Sequence, residues 1–183
     1  MPYYLINAFM QQVYYRNYAS RYFMIACNYS VPPKTVARET MTKDAMISFG
    51  NTLLYGHVAN AILKTDLDIR ISFLHSANRR QQSLNLDIAE LFKPIIIDRL
   101  IFSMVNRHVI AAHKHFTRHD DGAVLLNREG KNIFLEAFRE KLDQTLDVKG
   151  EKESYEQLIR REIWHLKNHI LKDEKYTPFK CEW

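Results

Sequence analysis

The spacing of apolar residues constrains this chain more than any other feature. Over residues 43–64 (KDAMISFGNTLLYGHVANAILK), Met46, Phe49, Leu53, Leu54, His57, Ala61 and Leu63 recur three and four apart. That is the period of one helix face, and Thr42 or Asp44 stands near its start as a cap. Residues 83–110 (SLNLDIAELFKPIIIDRLIFSMVNRHVI) read as a second, longer helical region. Pro94 should kink or divide it, because proline lacks an N–H and crowds the preceding turn. Residues 3–27 read as a tyrosine-rich helix, ended by the loop that holds Pro32 and Pro33. Downstream, Asp121-Gly122 marks a turn, and Asn127 caps a helix running through Phe134, Phe138 and Leu142. A last helix from about Glu153 carries Leu158, Ile163, Leu166 and Ile170, with Glu156, Arg160, Arg161, Lys167 and Lys172 as its solvated face. Strand alternation is scarce, and residues 68–73 are the best short candidate. The pattern predicts an all-α fold, one helical domain over residues 1–183.

Composition narrows the setting. The chain has 183 residues, enough for one ordinary domain, and is 46% hydrophobic with only five Gly and five Pro. A packed core is therefore expected, without long disordered tracts. No apolar run approaches the roughly 18 residues of a membrane-spanning helix, and MPYYLINAFMQQVYY lacks the layout of a secretory signal. Cys27 and Cys181 form no CxxC pattern; a single disulfide is open to them, and reduced thiols in a cytoplasmic protein are the simpler reading. The net charge of +5 is compatible with phosphate backbones but modest.

Three groups of residues could carry chemistry. Asp87 and Glu90, three apart in a helical pattern, project from one face among Leu86, Ile88, Leu91 and Phe92. Two such carboxylates repel unless a proton or a cation joins them, and their oxygens suit Mg²⁺ or Mn²⁺. Spacing alone favours a plainer alternative, an exposed acidic face answered by Lys93 or Arg99. His75, in ISFLHSANRRQQ, is either a hydrogen-bonded loop histidine or a nitrogen ligand, which would tilt the site toward Mn²⁺. Arg79 and Arg80 beside it suit bidentate phosphate contacts, or simple solvation. The third group is His108, His113, His115 and His119, followed by Asp120 and Asp121. His119-Asp120 in a helical chain is similar to the signature of the His-Asp phosphohydrolases, although the further His and Asp of those enzymes have no convincing counterpart. Eight of the ten tyrosines precede residue 56 and could stack on bases or pack a core or subunit interface.

FGNTLLYGHVANAIL, DLDIRISFLH and SLNLDIAELFKPIIIDRLIF, in this order, resemble successive signatures of the CRISPR spacer-acquisition integrase. LLNREGKNIFLEAFREKL and YTPFKCEW resemble its C-terminal portion, so the likeness spans about residues 42–183. The resemblance implies the helical catalytic half of a metal-dependent DNA endonuclease and integrase. It also implies Mn²⁺ or Mg²⁺ as cofactor, a homodimer, DNA as substrate and a small second CRISPR-associated protein as partner. His75 matches the family's metal-binding histidine, and Asp87 and Glu90 match its acidic pair. His75 and Glu90 are then direct ligands, Asp87 assists or orients them, and Arg79 and Arg80 lie where the family approaches DNA.

The family also takes a Glu from an early helix, before a paired aromatic. Aligning on Tyr14-Tyr15 puts Asn7 there, and aligning on Tyr22-Phe23 puts Tyr15 there. Glu39 and Asp44 are the only acids before Asp66, and both follow the Pro-Pro pair. The family's N-terminal β-rich domain is likewise expected to be absent. Two expectations follow: a divalent-metal nuclease and integrase weakened by the missing carboxylate, or a non-catalytic DNA-binding or assembly module of the same lineage.

Overall fold

The computed structural model describes residues 33–73, 82–148, 150–172, 174–177 and 179. The tyrosine-rich stretch at residues 3–27 lies outside them. Helix α1 runs over Pro33–Ile62, ten residues earlier than the apolar stripe alone predicts. Pro33 opens it, since the first helical position has no intrahelical use for an N–H. Thr42 and Asp44 therefore sit inside the helix, and neither caps it. The buried line of α1 is Met46, Gly50, Leu54, Val58 and Ile62, a strict spacing of four. Phe49, Leu53, His57 and Ala61 flank that line and are half-buried, while Leu63 is exposed beyond the helix end.

Irregular backbone follows. Residues 68–73 form no strand: the Asp68 carboxylate accepts from Arg70 N–H and Ile71 N–H donates to the Asp68 carbonyl at 3.1 Å, closing a turn. The Ile69 carbonyl then accepts from Ser83 and Leu84, which seats the loop on the next helix. That helix, α2 (Leu84–Phe92), buries all its residues except Glu90. A π-helical stretch, Lys93–Asp98, separates it from α3 (Arg99–Asn106). Pro94 thus divides the long apolar region, and the wider π turn accommodates the ring and the missing N–H. Ile95, Ile96 and Ile97 in that stretch are fully buried.

The rest of the chain corrects the all-α expectation to a mostly helical fold with two small antiparallel ribbons. In the first, β1 (Phe116–Arg118) pairs with β2 (Val124–Leu126), and Phe116 lies opposite Leu126. In the second, β3 (Thr145–Val148) pairs with β4 (Glu151–Ser154). Strands of three and four residues with little burial are too short for a period of two to register. Their turns are legible: Gly122 and Gly150 take φ of +85° and +90°, with Asp121 and Asp147 carboxylates accepting across the bends.

Between the ribbons lies α4 (Arg128–Asp143), capped by Asn127, whose side-chain oxygen accepts from Gly130 N–H at 2.9 Å. Phe134, Phe138 and Leu142 are buried as the pattern predicts. Helix α5 (Tyr155–Lys172) begins after Glu153, which falls in β4. Leu158, Ile163 and Leu166 are buried, but Ile170 is exposed. The expected solvated face is only partly free: Glu156 is paired with His57 of α1 and Arg160, and Arg161 with Glu153. One core joins α1, α2, the π-helical stretch, α4 and α5. No helix among the described residues is long and apolar enough to cross a membrane.

Candidate functional site

Asp87 sits in the first turn of α2 and is completely buried. A charge removed from water needs compensating donors, and a helix N-terminus favours a negative group. The Asp87 carboxylate accepts from the backbone N–H of Phe73 at 2.5 Å. Phe73 precedes His75 by two residues, so Asp87 anchors the end of the segment that leads to the histidine.

Glu90 stands one turn further along the same helix, its side chain 11% exposed. Lys93 pairs with it from the first position of the π-helical stretch, and its side chain is only 9% exposed. The Lys93 ammonium also lies 4.8 Å from the ring centroid of Tyr55, on α1. Asn85 on α2 donates its side-chain N–H to the Tyr55 carbonyl at 3.2 Å, tying the two helices at this point. The exposed-face alternative therefore named the correct partner in Lys93 and the wrong environment. A carboxylate, an ammonium and an aromatic face meet here largely out of solvent, where an ion pair is costly to break.

The Glu90 carboxylate is an oxygen donor of the type that suits a hard cation. Glu90 already holds a positive charge against it, and the π-face of Tyr55 favours charge of the same sign. Of the expected residues, the structure brings Asp87 and Glu90 together on α2, while Asn7, His75, Arg79 and Arg80 lie outside the described residues. Among the described residues no three His, Cys, Asp or Glu side chains converge well enough to hold a metal. Sequence reasoning passed over Tyr55 and Asn85, whose signals were faint: a tyrosine among the residues of the α1 stripe and an amide close to Asp87.

The second histidine group does not assemble. His119, Asp120 and Asp121 are exposed in the bend between β1 and β2, where His119 N–H donates to the Ala123 carbonyl at 2.8 Å. His108 and His113 are exposed too, and His115 is buried with its Nδ1 accepting from Ala111 N–H. A His-Asp hydrolase centre would need these groups gathered on facing helices, so the phosphohydrolase reading is set aside.

Comparison with known proteins gives this geometry a lineage. The CRISPR-associated endonuclease Cas1 2 of Thermodesulfovibrio yellowstonii is 44% identical over 154 residues, which cover 79% of this chain and 46% of that protein. The solved structure of a Cas1 protein from Thermotoga maritima superposes with a TM-score of 0.65 at 42% identity, over 70% of this chain and 39% of that one. A casposase bound to integration product shares the fold, with a TM-score of 0.67 at 21% identity, over 74% of this chain and 39% of that one. The chain thus spans about half the length, or less, of the relatives it matches. Residues 38–140, which contain Tyr55, Asp87, Glu90 and Lys93, match the family described as CRISPR associated protein Cas1. With more than half of its residues inside that match, the chain belongs to the Cas1 family.

Proposed function

We propose that this chain is the helical catalytic unit of a divalent-metal-dependent DNA endonuclease and integrase of CRISPR spacer acquisition. One observation carries the reading. Two acidic side chains, matched to the family's acidic pair, sit in the first turns of one buried helix, and Asp87 is bonded to the segment that leads to His75.

Glu90 and His75 would hold the cation, Mn²⁺ or Mg²⁺, with Asp87 orienting them. Bound there, it would lower the pKa of an attacking oxygen and offset charge on the phosphoryl group. The chain's own residues have distinct tasks. Asp87, through the Phe73 N–H, fixes where the residue-74 segment starts. Lys93 neutralises Glu90 until a cation competes for it, and Tyr55 steadies the displaced ammonium. Arg79 and Arg80 would grip the DNA backbone bidentately. In strand transfer a DNA 3′-hydroxyl attacks a phosphodiester and the 3′-oxygen of the broken strand leaves; in hydrolysis water replaces the hydroxyl.

Where the family places an early Glu, alignment on Tyr14-Tyr15 gives Asn7, a neutral oxygen donor, and alignment on Tyr22-Phe23 gives Tyr15. One fewer anionic ligand predicts weaker metal affinity and reduced turnover. The family's homodimer and its small second CRISPR-associated protein are the partners this reading brings with it.

The test is strand cleavage and strand transfer on a branched DNA with Mn²⁺, for the native chain, His75→Ala and Glu90→Gln. Weak native activity that both substitutions and chelation abolish is expected. Activity indifferent to chelation would sink the metal mechanism. DNA binding with no turnover under any metal would leave the non-catalytic module as the better reading.

A further inference from the structure

Among the described residues, Lys93 is the one buried lysine. A lysine is almost never enclosed without a partner, because its ammonium loses water on burial. The partner is Glu90, three residues earlier, and the two side chains are 9% and 11% exposed. Tyr55 of α1 lies against the pair, with the ammonium 4.8 Å from its ring centroid. Asn85, 6% exposed on the helix that carries Glu90, donates to the Tyr55 carbonyl at 3.2 Å and so holds that residue in place.

An enclosed ion pair adds little stability over apolar residues of the same volume, so packing alone gives no reason for one here. Glu90 without Lys93 would be a buried, uncompensated carboxylate, and the ammonium supplies the positive charge that the carboxylate needs. Both groups belong to one short segment, running from α2 into the π-helical stretch, so the compensation is built in locally. The same ammonium obstructs any second cation, because two positive charges at one enclosed carboxylate repel through a medium that screens them poorly. Exchanging the ammonium for a monovalent ion leaves the net charge unchanged, whereas a divalent ion brings a second unit of attraction to Glu90.

We propose that Lys93 is a resident counter-ion, standing at Glu90 in place of the divalent cation and lowering the site's affinity for it. The ammonium must leave the carboxylate as the metal enters, and this exchange sets both the affinity and the preference for double over single charge. The inference rests on the reading of Glu90 as a metal ligand.

Binding of Mn²⁺ to the chelator-treated whole chain, followed by electron paramagnetic resonance of the free ion at one fixed pH, tests it. Lys93→Met keeps an unbranched apolar stem without the charge and should bind Mn²⁺ about tenfold more tightly than the native chain. Lys93→Arg keeps the charge and should stay near the native affinity. A lysine that only propped the site would give the opposite sign, weaker binding in Lys93→Met. Adding Glu90→Gln to Lys93→Met should remove the gain. Equal or weaker binding in Lys93→Met, or a gain that survives Glu90→Gln, overturns the exchange and leaves metal binding itself intact. Absence of Mn²⁺ binding in the native chain and Lys93→Met alike overturns the metal reading, and the exchange with it. If Lys93→Met does not fold, nitrogen NMR of the Lys93 ammonium in the native chain decides. Its resonance should move in step with Mg²⁺ binding and stay still in Na⁺ at equal ionic strength. A Lys93 signal unmoved by Mg²⁺ overturns the proposal.

Discussion

A β-carbon on Gly130 would lie 2.4 Å from the carbonyl oxygen of His115, and that oxygen already accepts from Asn127 N–H. The obstruction is backbone, which cannot swing aside as a flexible side chain would. Gly130→Ala gains helix propensity, about 1 kcal/mol, but must push apart the loop and the start of α4, at a cost of about 1–3 kcal/mol. Strain should win, with a net loss of up to about 2 kcal/mol in urea denaturation, and a stabilised variant would contradict the packing described. At the same scale, the proximity of Asp87 and Glu90 was legible, since three residues make a helical turn. Their burial was not, because no spacing says that Lys93 pairs with Glu90 away from solvent or that Phe73 N–H meets Asp87. The Phe73 contact depends on a distant segment meeting α2, and the burial of the local Lys93–Glu90 pair depends on α1 packing beside it.

Elements announce themselves through caps, breakers and periods of adequate length. Asn127 illustrates the strongest case, for its side chain accepts from Gly130 N–H and also donates to the Lys114 carbonyl at 2.7 Å. Asn127→Ala removes both bonds and should cost about 1–2 kcal/mol, read as a lowered denaturation midpoint with an unchanged slope. Asn127→Asp keeps the acceptor and should recover part of that loss. Pro94 was equally readable as a divider, and Asp121-Gly122 as a turn. The ribbons escaped notice because each strand is only three or four residues long, and no residue of β3 or β4 is fully buried. Helix α1 was read short for another reason: Pro33 was taken as loop, whereas at a first helical position proline is tolerated.

For the whole molecule, α1 packs chiefly on α2, β2 and the π-helical stretch, and at Gly50 it also meets Phe134 of α4. A β-carbon on Gly50 would stand 2.9 Å from both Ile97 and Phe134, so the absent side chain is what lets these elements meet. Phe134 is completely buried and meets Phe49 edge-on, with ring centroids 5.5 Å apart. Phe134→Ala should therefore cost about 3–5 kcal/mol in chemical denaturation, near the limit of what a domain of this size tolerates. A loss under 1 kcal/mol would show that this contact is not central. By itself the sequence determined the helical period, the Asn127 cap, the break at Pro94, the turn at Asp121-Gly122 and the pairing of Asp87 with Glu90 on one face, because each is set by residues within a few positions of one another. Only the tertiary structure decided which faces meet. It left Leu63 and Ile170 in solvent despite their place in the pattern, enclosed Glu90 with Lys93 under Tyr55, and set the Tyr176 hydroxyl against the buried Glu162. A period says which side chains share a face; what covers that face comes from segments distant in the chain, and burial then sets the charge state and chemistry of the groups beneath.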